Sequence, residues 1–270
     1  ITRLPEYYLT RTEVGILEHH AADIVEAIGS AACIVEYGSG TSEKIRILLD
    51  AVAPQAYVPV DISGEHLLES ARAIQKDFPR VSVHPTCADY TRSFELPPAV
   101  AGLRRLAFFP GSSIGNFEPS AAGGFVAGVR EVVGSGGLFL IGVDAKKSPV
   151  ILNRAYNDSA GVTAAFNLNI LAHLNRRIGT DFDLTGFDHE AHYDSNAGRI
   201  EMHLVSKRRQ SVTLDGRTFE LDDRERIHTE NSYKYDPDEF IALARDGGFS
   251  CRNQWQDDEG LFAVFLLEVQ

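Results

Sequence analysis

The sequence is poor in cysteine and has no long apolar run. Its three cysteines, Cys33, Cys87 and Cys251, lie far apart and match no metal-ligand spacing. A small, odd and scattered set of this kind is typical of a reducing compartment and argues against a disulfide-bonded secreted fold. The longest uninterrupted apolar run, residues 261–267, is far too short to cross a bilayer. We therefore predict a cytoplasmic protein with no membrane partner.

Positive charge is also scarce. Lys and Arg together number 26 against 38 Asp and Glu, which gives a formal net charge of −12. Because phosphate binding needs a positive surface, this balance disfavours a nucleic-acid partner. The sequence begins at Ile1 rather than Met, so we expect a native segment to precede it, and we expect the protein to be a monomer.

Motifs for metal and nucleophile chemistry are missing as well. The run His189-Glu190-Ala191-His192 has the wrong spacing for a zincin helix, in which the two histidines stand one helical turn apart. His203 and His228 could complete a ligand set only if the fold brought them close, and we predict no metal site. No nucleophile elbow and no P-loop is found.

The first half of the chain alternates between short apolar runs and amphipathic stretches. Apolar runs bounded by Gly, Pro or Asp predict buried parallel strands at residues 33–37, 56–60, 106–110 and 137–143. Amphipathic stretches predict helices at residues 42–53, 65–77 and 121–133. Strands that alternate with helices of this length indicate βαβ units, so the predicted fold class is α/β with a mainly parallel sheet.

The second half departs from this rhythm. Residues 150–230 predict a helix at 153–178, a strand at 199–206 and a hairpin of 211–214 with 218–221 around Asp215-Gly216. We interpret this stretch as an inserted α+β subdomain. A helix at 237–245 follows, and two last strands at 250–256 and 261–269 should pair antiparallel because a short acidic turn joins them.

Glycines follow the first predicted strand, in Glu36-Tyr37-Gly38-Ser39-Gly40-Thr41. Gly38 and Gly40 would let backbone N–H groups approach a ligand at the start of the next helix. The dinucleotide fingerprint needs a third glycine where Glu43 stands, and a carboxylate there would face a pyrophosphate. This disfavours an NAD-dependent oxidoreductase, whereas a smaller aminocarboxylate group would be compatible with the turn.

Acidic and amide side chains follow the next strands. Asp61 comes directly after the second strand, where a carboxylate can bind ribose hydroxyls, although it could equally cap the next helix. Asp89 could bind an adenine amine or cap a turn. The loop 109–117 follows the third strand at the ligand-binding edge of such sheets, and its Asn116 offers both a donor and an acceptor.

Longer motifs are distributed over essentially the whole chain. They are Leu4-Pro5-Glu6-Tyr7-Tyr8-x-Thr10-Arg11, Gly38-Ser39-Gly40-Thr41-Ser42-x-Lys44, the loop 110–116, Ala155-Tyr156-Asn157-Asp158-x-Ala160-Gly161-Val162-Thr163, and Thr229-Glu230-x-Ser232-x-Lys234-Tyr235. Together they resemble the histidine-specific methyltransferases of ergothioneine biosynthesis. Leu9, Tyr37 and Tyr235 depart from the residues usual in that family, and none of them is an implied polar substrate contact.

The resemblance implies a Rossmann-like class I methyltransferase sheet with an inserted α+β substrate-binding domain. We predict that residues 11–146 and 234–270 form the S-adenosylmethionine-binding domain, and that residues 1–10 and 147–233 form the substrate-binding domain. The implied cofactor-binding residues are Gly38, Ser39, Gly40, Lys44, Asp61, Asp89 and Tyr90. The implied substrate-binding residues are Tyr7, Gly111, Asn116, Tyr156, Met202, Glu230, Asn231 and Ser232, of which Tyr7, Asn116 and Tyr156 are assigned to catalysis.

The activity implied by the resemblance is transfer of methyl groups from S-adenosylmethionine to the α-amino nitrogen of L-histidine, which gives hercynine for ergothioneine biosynthesis. Glu230 and Ser232 stand two apart in a segment predicted to be extended, so both should face one ligand edge, as an imidazole requires. Three alternatives stay open: a related N-methyltransferase for another amino acid or an indole amine, a nucleotide-dependent oxidoreductase, and a protein that only binds cofactor or histidine.

Overall fold

The computed structural model describes residues 1–40 and 42–270. Its strands are β1 (Cys33–Tyr37), β2 (Ala56–Asp61), β3 (Ser82–Val83), β4 (Thr86–Cys87), β5 (Arg105–Phe109), β6 (Leu138–Asp144), β7 (Phe187–Asp194), β8 (Arg199–Ser206), β9 (Gln210–Leu214), β10 (Arg217–Leu221), β11 (Arg226–Tyr233), β12 (Phe249–Gln256) and β13 (Phe262–Val269). Its α-helices are α1 (Leu9–His19), α2 (Ala21–Ile28), α3 (Glu43–Val52), α4 (Gly64–Asp77), α5 (Pro119–Val133), α6 (Pro149–Tyr156), α7 (Val162–Ile178) and α8 (Pro237–Asp246).

The chain divides into two compact units. The smaller unit comprises Ile1–Tyr8 and Lys147–Lys234, and the larger unit comprises Leu9–Lys146 and Tyr235–Gln270. Each unit is therefore assembled from segments that are separate in the sequence. Among the helices of the described residues, none is long and apolar enough to cross a membrane.

The larger unit is built on an eight-stranded sheet. Its strand order is β12-β13-β6-β5-β1-β2-β3, and β4 also pairs with β2. The strands from β6 to β3 are parallel, whereas β13 is antiparallel to both β6 and β12, as predicted for the last two strands. Every residue of β1 and β6 is buried, which explains their mainly apolar composition; Glu36 in β1 and Asp144 at the end of β6 are the charged exceptions. The predicted α/β class is confirmed.

The smaller unit combines two helices with antiparallel strands. Strands β11, β8 and β7 form one sheet, and β9 pairs with β10 in the hairpin predicted around Asp215-Gly216. Leu171 of α7 packs with Phe187 and Leu204 of the sheet in a small core. The segment Ile1–Tyr8 belongs to this unit, and Glu6 accepts a hydrogen bond of 2.8 Å from the Ser159 hydroxyl.

The single helix predicted at residues 153–178 is wrong. The structure has two helices, α6 and α7, separated by residues 157–161. Asp158 starts α7 because its carboxylate accepts hydrogen bonds from the backbone N–H groups of Val162 (2.8 Å) and Thr163 (2.7 Å). Gly161 has a φ of 69°, a left-handed conformation that cannot continue a helix. The local capping chemistry outweighs the apolar periodicity on which the prediction was based.

Candidate functional site

The glycine turn after β1 has the backbone geometry of a ligand cradle. Gly38 and Gly40 adopt φ values of 74° and 38°, and a Cβ added to Gly38 would lie 3.7 Å from the Tyr90 hydroxyl. Ser39 is buried, and its Oγ has no hydrogen-bond partner among the residues that the structure describes. Thr41, the last residue of the motif, lies outside the described residues. A small ligand at this turn could satisfy the Ser39 hydroxyl.

Two acids and a phenol lie close together at the same edge of the sheet. Asp61 accepts a hydrogen bond of 2.9 Å from the Ser63 backbone N–H at the start of α4, and Asp89 accepts bonds from the Thr91 N–H (3.0 Å) and hydroxyl (2.6 Å). Burial raises the pKa of Tyr90, and the negative charges of Asp61 and Asp89 raise it further. Asp89 thus makes the turn-capping bonds considered from the sequence, whereas Asp61 bonds to Ser63, which precedes α4, and does not itself cap the helix. Both acids nevertheless act on the pKa of Tyr90.

An aromatic cavity adjoins this neighbourhood. It has a volume of 570 Å³, and its lining includes Tyr37, Tyr90, Phe94, Gly124 and Phe125. The Tyr37 and Tyr90 rings meet edge to face, with 5.9 Å between centroids and 82° between planes. A cavity of this size with aromatic walls can accommodate a planar ring system.

Lys44 reaches from the first turn of α3 to a carboxylate that the sequence did not single out. Its Nζ donates to Oε2 of Glu13, a fully buried residue of α1, and the backbone N–H of Gly111 donates to the same oxygen at 2.8 Å. Burial raises the pKa of Glu13, whereas the Lys44 ammonium and the Gly111 N–H act in the opposite direction. The larger unit therefore brings two predicted site residues, Lys44 and Gly111, onto one buried carboxylate oxygen.

The loop that carries Gly111 also carries Asn116. Gly111 and Ser112 both have left-handed φ values, 82° and 56°, and the Ser112 Oγ accepts a hydrogen bond of 2.9 Å from the Asp144 backbone N–H. A 3₁₀ turn follows over Ser113–Asn116, and Asn116 is exposed at its end. The loop is thus fixed at its base and presents the Asn116 amide to solvent.

In the smaller unit, three polar side chains form a closed hydrogen-bond triangle. The hydroxyls of Tyr156 and Ser232 are 2.9 Å apart, and the ammonium of the buried Lys234 donates to Tyr156 at 3.0 Å and to Ser232 at 2.7 Å. The Tyr7 ring meets the Tyr156 ring edge to face at 6.0 Å. Lys234 was not among the predicted site residues, although its spacing after Glu230 and Ser232 on an extended segment would have indicated it.

Glu230 lies on the same face of β11 as Ser232 and follows an irregularity in the strand. The register with β8 shifts between His228 and Glu230, and Glu230 then pairs with Met202. Glu230 and Ser232 remain two apart and so face one side, whereas Asn231 pairs with Glu201 and faces the other. Burial raises the pKa of Glu230, and the Lys234 ammonium opposes this effect.

A group of potential metal ligands lies on that other face. Oε2 of Glu201 is 3.6 Å from Nε2 of His192 and 3.7 Å from Nε2 of His203. The two imidazole rings are stacked with only 15° between their planes, and Arg199 holds the other Glu201 oxygen at 2.6 Å. Because an imidazole binds a metal within its ring plane, two nearly parallel rings cannot direct both nitrogens at one ion. We assign no metal to this group.

Comparison with known proteins identifies the family of this chain. The family described as "Histidine-specific methyltransferase, SAM-dependent" matches residues 1–269. The chain belongs to this family. It is 39% identical over 272 residues to the histidine N-alpha-methyltransferase of Mycolicibacterium smegmatis, a match that covers 98% of this chain and 84% of that protein. The resemblance inferred from the motifs is thereby confirmed.

More distant relatives support the fold and the biosynthetic class. The chain is 35% identical to ergothioneine biosynthesis protein 1 of Neurospora crassa over 94% of its own length, which is 30% of that longer protein. A crystal structure of an S-adenosylmethionine-dependent methyltransferase from Clostridium acetobutylicum superimposes with a TM-score of 0.56 at 12% identity, over 96% of this chain and 91% of that one. The predicted enzyme class and cofactor, a methyltransferase that uses S-adenosylmethionine, are confirmed by the family.

Proposed function

We propose that this enzyme transfers methyl groups from S-adenosylmethionine to the α-amino nitrogen of L-histidine and so produces hercynine for ergothioneine biosynthesis. The observation that carries the proposal is the polar face of β11 in the smaller unit. Glu230 and Ser232 lie on this face, and the Ser232 hydroxyl contacts the Tyr156 hydroxyl. The names of the histidine N-alpha-methyltransferase and ergothioneine relatives point to the same substrate.

The larger unit would supply the donors and acceptors for the cofactor. The open turn at Gly38 and Gly40, with the unsatisfied Ser39 hydroxyl, suits the aminocarboxylate group, and Lys44 adds a positive charge for the carboxylate. Asp61 ends β2, where a carboxylate would bind the ribose hydroxyls. Asp89 and Tyr90 would meet the adenine, for which the adjoining aromatic cavity offers stacking surfaces. We assign the larger unit to cofactor binding on these grounds.

The smaller unit would bind the imidazole ring and recognise its two nitrogens. A neutral imidazole has one N–H donor and one acceptor nitrogen, which a carboxylate and a hydroxyl can serve respectively. Glu230 and Ser232 supply this pair from one face of β11, and Met202 offers an apolar contact opposite Glu230. An indole amine has only a donor at the corresponding ring nitrogen, so Ser232 would have no acceptor to bind. This difference favours histidine over the indole alternative.

The chain itself has little covalent chemistry to perform. The bound cofactor supplies an electrophilic methyl group on a sulfonium. The attacking amine must be neutral, and the Tyr7 and Tyr156 hydroxyls of the smaller unit can orient its lone pair. Catalysis is then mainly positioning of the nitrogen for displacement. The aromatic rings of Tyr7 and Tyr156 would also favour an amine that gains positive charge as it is alkylated.

The direct test is mass spectrometry of L-histidine after incubation with S-adenosylmethionine and the enzyme, with 4-dimethylallyltryptophan and tryptophan as competing acceptors. Mono-, di- and trimethylated histidine should accumulate, and fragmentation should place the methyl groups on the α-nitrogen. Methylation of the indole compounds with none on histidine would refute the proposal.

The assignment of Glu230 is tested by Glu230→Ala. Loss of a charge-assisted hydrogen bond of about 1.5–3 kcal/mol should raise KM for histidine by about 10- to 150-fold. Because this contact lies away from the reacting amine, kcat should fall much less, and the Kd of S-adenosylhomocysteine should stay unchanged. The matched control is Glu220→Ala, which removes an exposed carboxylate from β10 of the same unit. A wild-type histidine KM in Glu230→Ala would show that this carboxylate does not read the imidazole.

A further inference from the structure

Glu13 is a buried carboxylate with a position that stability alone does not explain. It occupies the apolar face of α1, together with Leu9, Ile16 and Leu17, and its side chain is fully buried. A buried ion pair seldom stabilises a fold more than well-packed apolar residues of similar volume would. A leucine or methionine at residue 13 would continue the apolar face without the cost of desolvating a charge. The carboxylate therefore calls for a functional explanation.

Both carboxylate oxygens of Glu13 are fixed. Oε2 accepts from the Lys44 ammonium and from the Gly111 N–H. Oε1 presses against Gly142 of β6, where an added Cβ would lie only 2.0 Å away. Within residues 1–40 and 42–270, Oε1 has no hydrogen-bond partner. The side chain has no room to move, so whatever binds to Oε2 is held in a defined place.

The two groups on Oε2 come from distant parts of the chain. Lys44 follows the glycine turn after β1, and Gly111 begins the loop after β5. The Lys44 Nζ would lie 3.5 Å from a Cβ at Gly111, so the ammonium sits directly over this glycine. One oxygen thus sets the distance between a side chain proposed to bind the cofactor and a backbone segment proposed to contact the substrate.

We propose that Glu13 is a positioning residue that holds the Lys44 ammonium for the cofactor carboxylate and the Gly111 segment for the substrate. The inference rests on the proposed roles of Lys44 and Gly111. Glu13 acts through these groups rather than on the reacting atoms.

The cofactor half is tested by calorimetry with S-adenosylhomocysteine on the wild type, Glu13→Gln, Lys44→Met and the double variant. Glu13→Gln keeps the shape and removes the charge, and its Kd should rise about ten-fold, as expected for a lost charge-assisted bond. Lys44→Met should weaken binding at least as much. The double variant should match Lys44→Met alone, because Glu13 acts through the lysine.

Three other outcomes would each overturn the inference. If Lys44→Met binds the ligand weakly while Glu13→Gln binds it as the wild type does, Glu13 has only a structural role and the inference is overturned. If Lys44→Met itself binds as the wild type does, the proposed role of Lys44 fails first and the inference falls with it. Additive losses in the double variant would also overturn it, since Glu13 would then not act through Lys44.

Folding defects are separated by a control and by the design of the double variant. Arg104→Met removes hydrogen bonds to the Gly136 carbonyl (3.1 Å) and the Ile28 carbonyl (2.8 Å), which lie near the amino end of β5. It should lower the melting temperature without changing the Kd of S-adenosylhomocysteine. If Glu13→Gln alone does not fold, the charge-neutral double variant still tests the inference, because its Kd must equal that of Lys44→Met.

The substrate half is tested by comparing Glu13→Gln with Glu13→Met at saturating cofactor. Glutamine retains an acceptor for the Gly111 N–H, whereas methionine has similar length but no strong acceptor. KM for histidine should therefore stay near the wild-type value in Glu13→Gln and rise several-fold in Glu13→Met. Equal KM values in the two variants would overturn this half of the inference.

Discussion

Glu36 should make the stability of the larger unit strongly dependent on pH. This side chain is buried in the middle of the sheet on β1, and the Tyr57 hydroxyl donates a hydrogen bond to its Oε2. Burial raises the pKa of Glu36 from 4.5 to about 8, and the nearby charge of Asp61 adds to this effect, while Tyr57 and Lys44 act against it. The neutral form is therefore the one that the fold prefers.

The sign and size of the effect follow from linkage. Because the pKa of Glu36 is higher in the folded than in the unfolded chain, the stabilisation is fully present below about pH 4.5 and is lost as pH rises through about 8. Each pKa unit corresponds to about 1.4 kcal/mol, so between pH 5 and pH 8 the wild type should lose about 3–4 kcal/mol from this group. Glu36→Gln keeps the shape and a carbonyl acceptor for Tyr57 but does not titrate.

The assay is urea denaturation at several pH values, followed by fluorescence of Trp255. This residue is the only tryptophan, is buried in β12 and belongs to the same unit as Glu36. The unfolding free energy of Glu36→Gln minus that of the wild type should grow with pH by about 3–4 kcal/mol. The control is Glu65→Gln, which removes an exposed carboxylate from α4 of the same unit. A constant difference for Glu36→Gln would refute the reasoning.

Two further substitutions test local features of the fold. Asp158→Ala should cost about 1–2 kcal/mol because it removes the cap of α7. Burial alone would raise the pKa of Asp158, but its hydrogen bonds lower it below the usual value. The melting temperatures of wild type and variant should therefore converge as pH falls through that pKa. A difference in melting temperature that persists in strong acid would contradict this. Gly142→Ala should destabilise the larger unit by about 3 kcal/mol through overpacking, since its Cβ would lie 2.0 Å from Glu13 and 2.9 Å from the Phe262 ring. The control Gly128→Ala, with no atom within 4 Å of its Cβ, should be neutral or stabilising in the same denaturation assay, and equal losses in the two variants would rule out crowding at Gly142.

The central strands were predictable because burial on both faces gives a strong composition signal. The strand at 33–37 was predicted with its observed bounds, β2 extends one residue beyond its predicted end, and β5 and β6 are displaced by one residue from their predicted ranges. Strands β3 and β4 have two residues each, too few for any pattern to emerge. The gap between α6 and α7 was missed because a capping aspartate and one glycine interrupt an apolar periodicity that continues on both sides.

The candidate site was predictable where its residues stand close in sequence. The turn at Gly38 and the pair Glu230 and Ser232 follow from local spacing alone. Glu13 carries no such sign, because its partner Gly111 lies 98 residues away and nothing in the sequence near α1 indicates that contact. Lys234 was within a matched motif, but only the fold shows that its ammonium bonds to Tyr156, 78 residues earlier.

The order of the segments has a consequence for synthesis on the ribosome. The Tyr8 hydroxyl accepts a hydrogen bond from Lys147, 139 residues later. The segment Ile1–Tyr8 therefore cannot make this contact until Leu9–Lys146, a large part of the other unit, has been synthesised. That unit cannot finish early either, because β13, which follows β12 in the chain, lies between β12 and β6. Until it emerges, β6 presents an apolar, unpaired edge. A nascent chain stalled before Phe262 should therefore bind chaperones or aggregate.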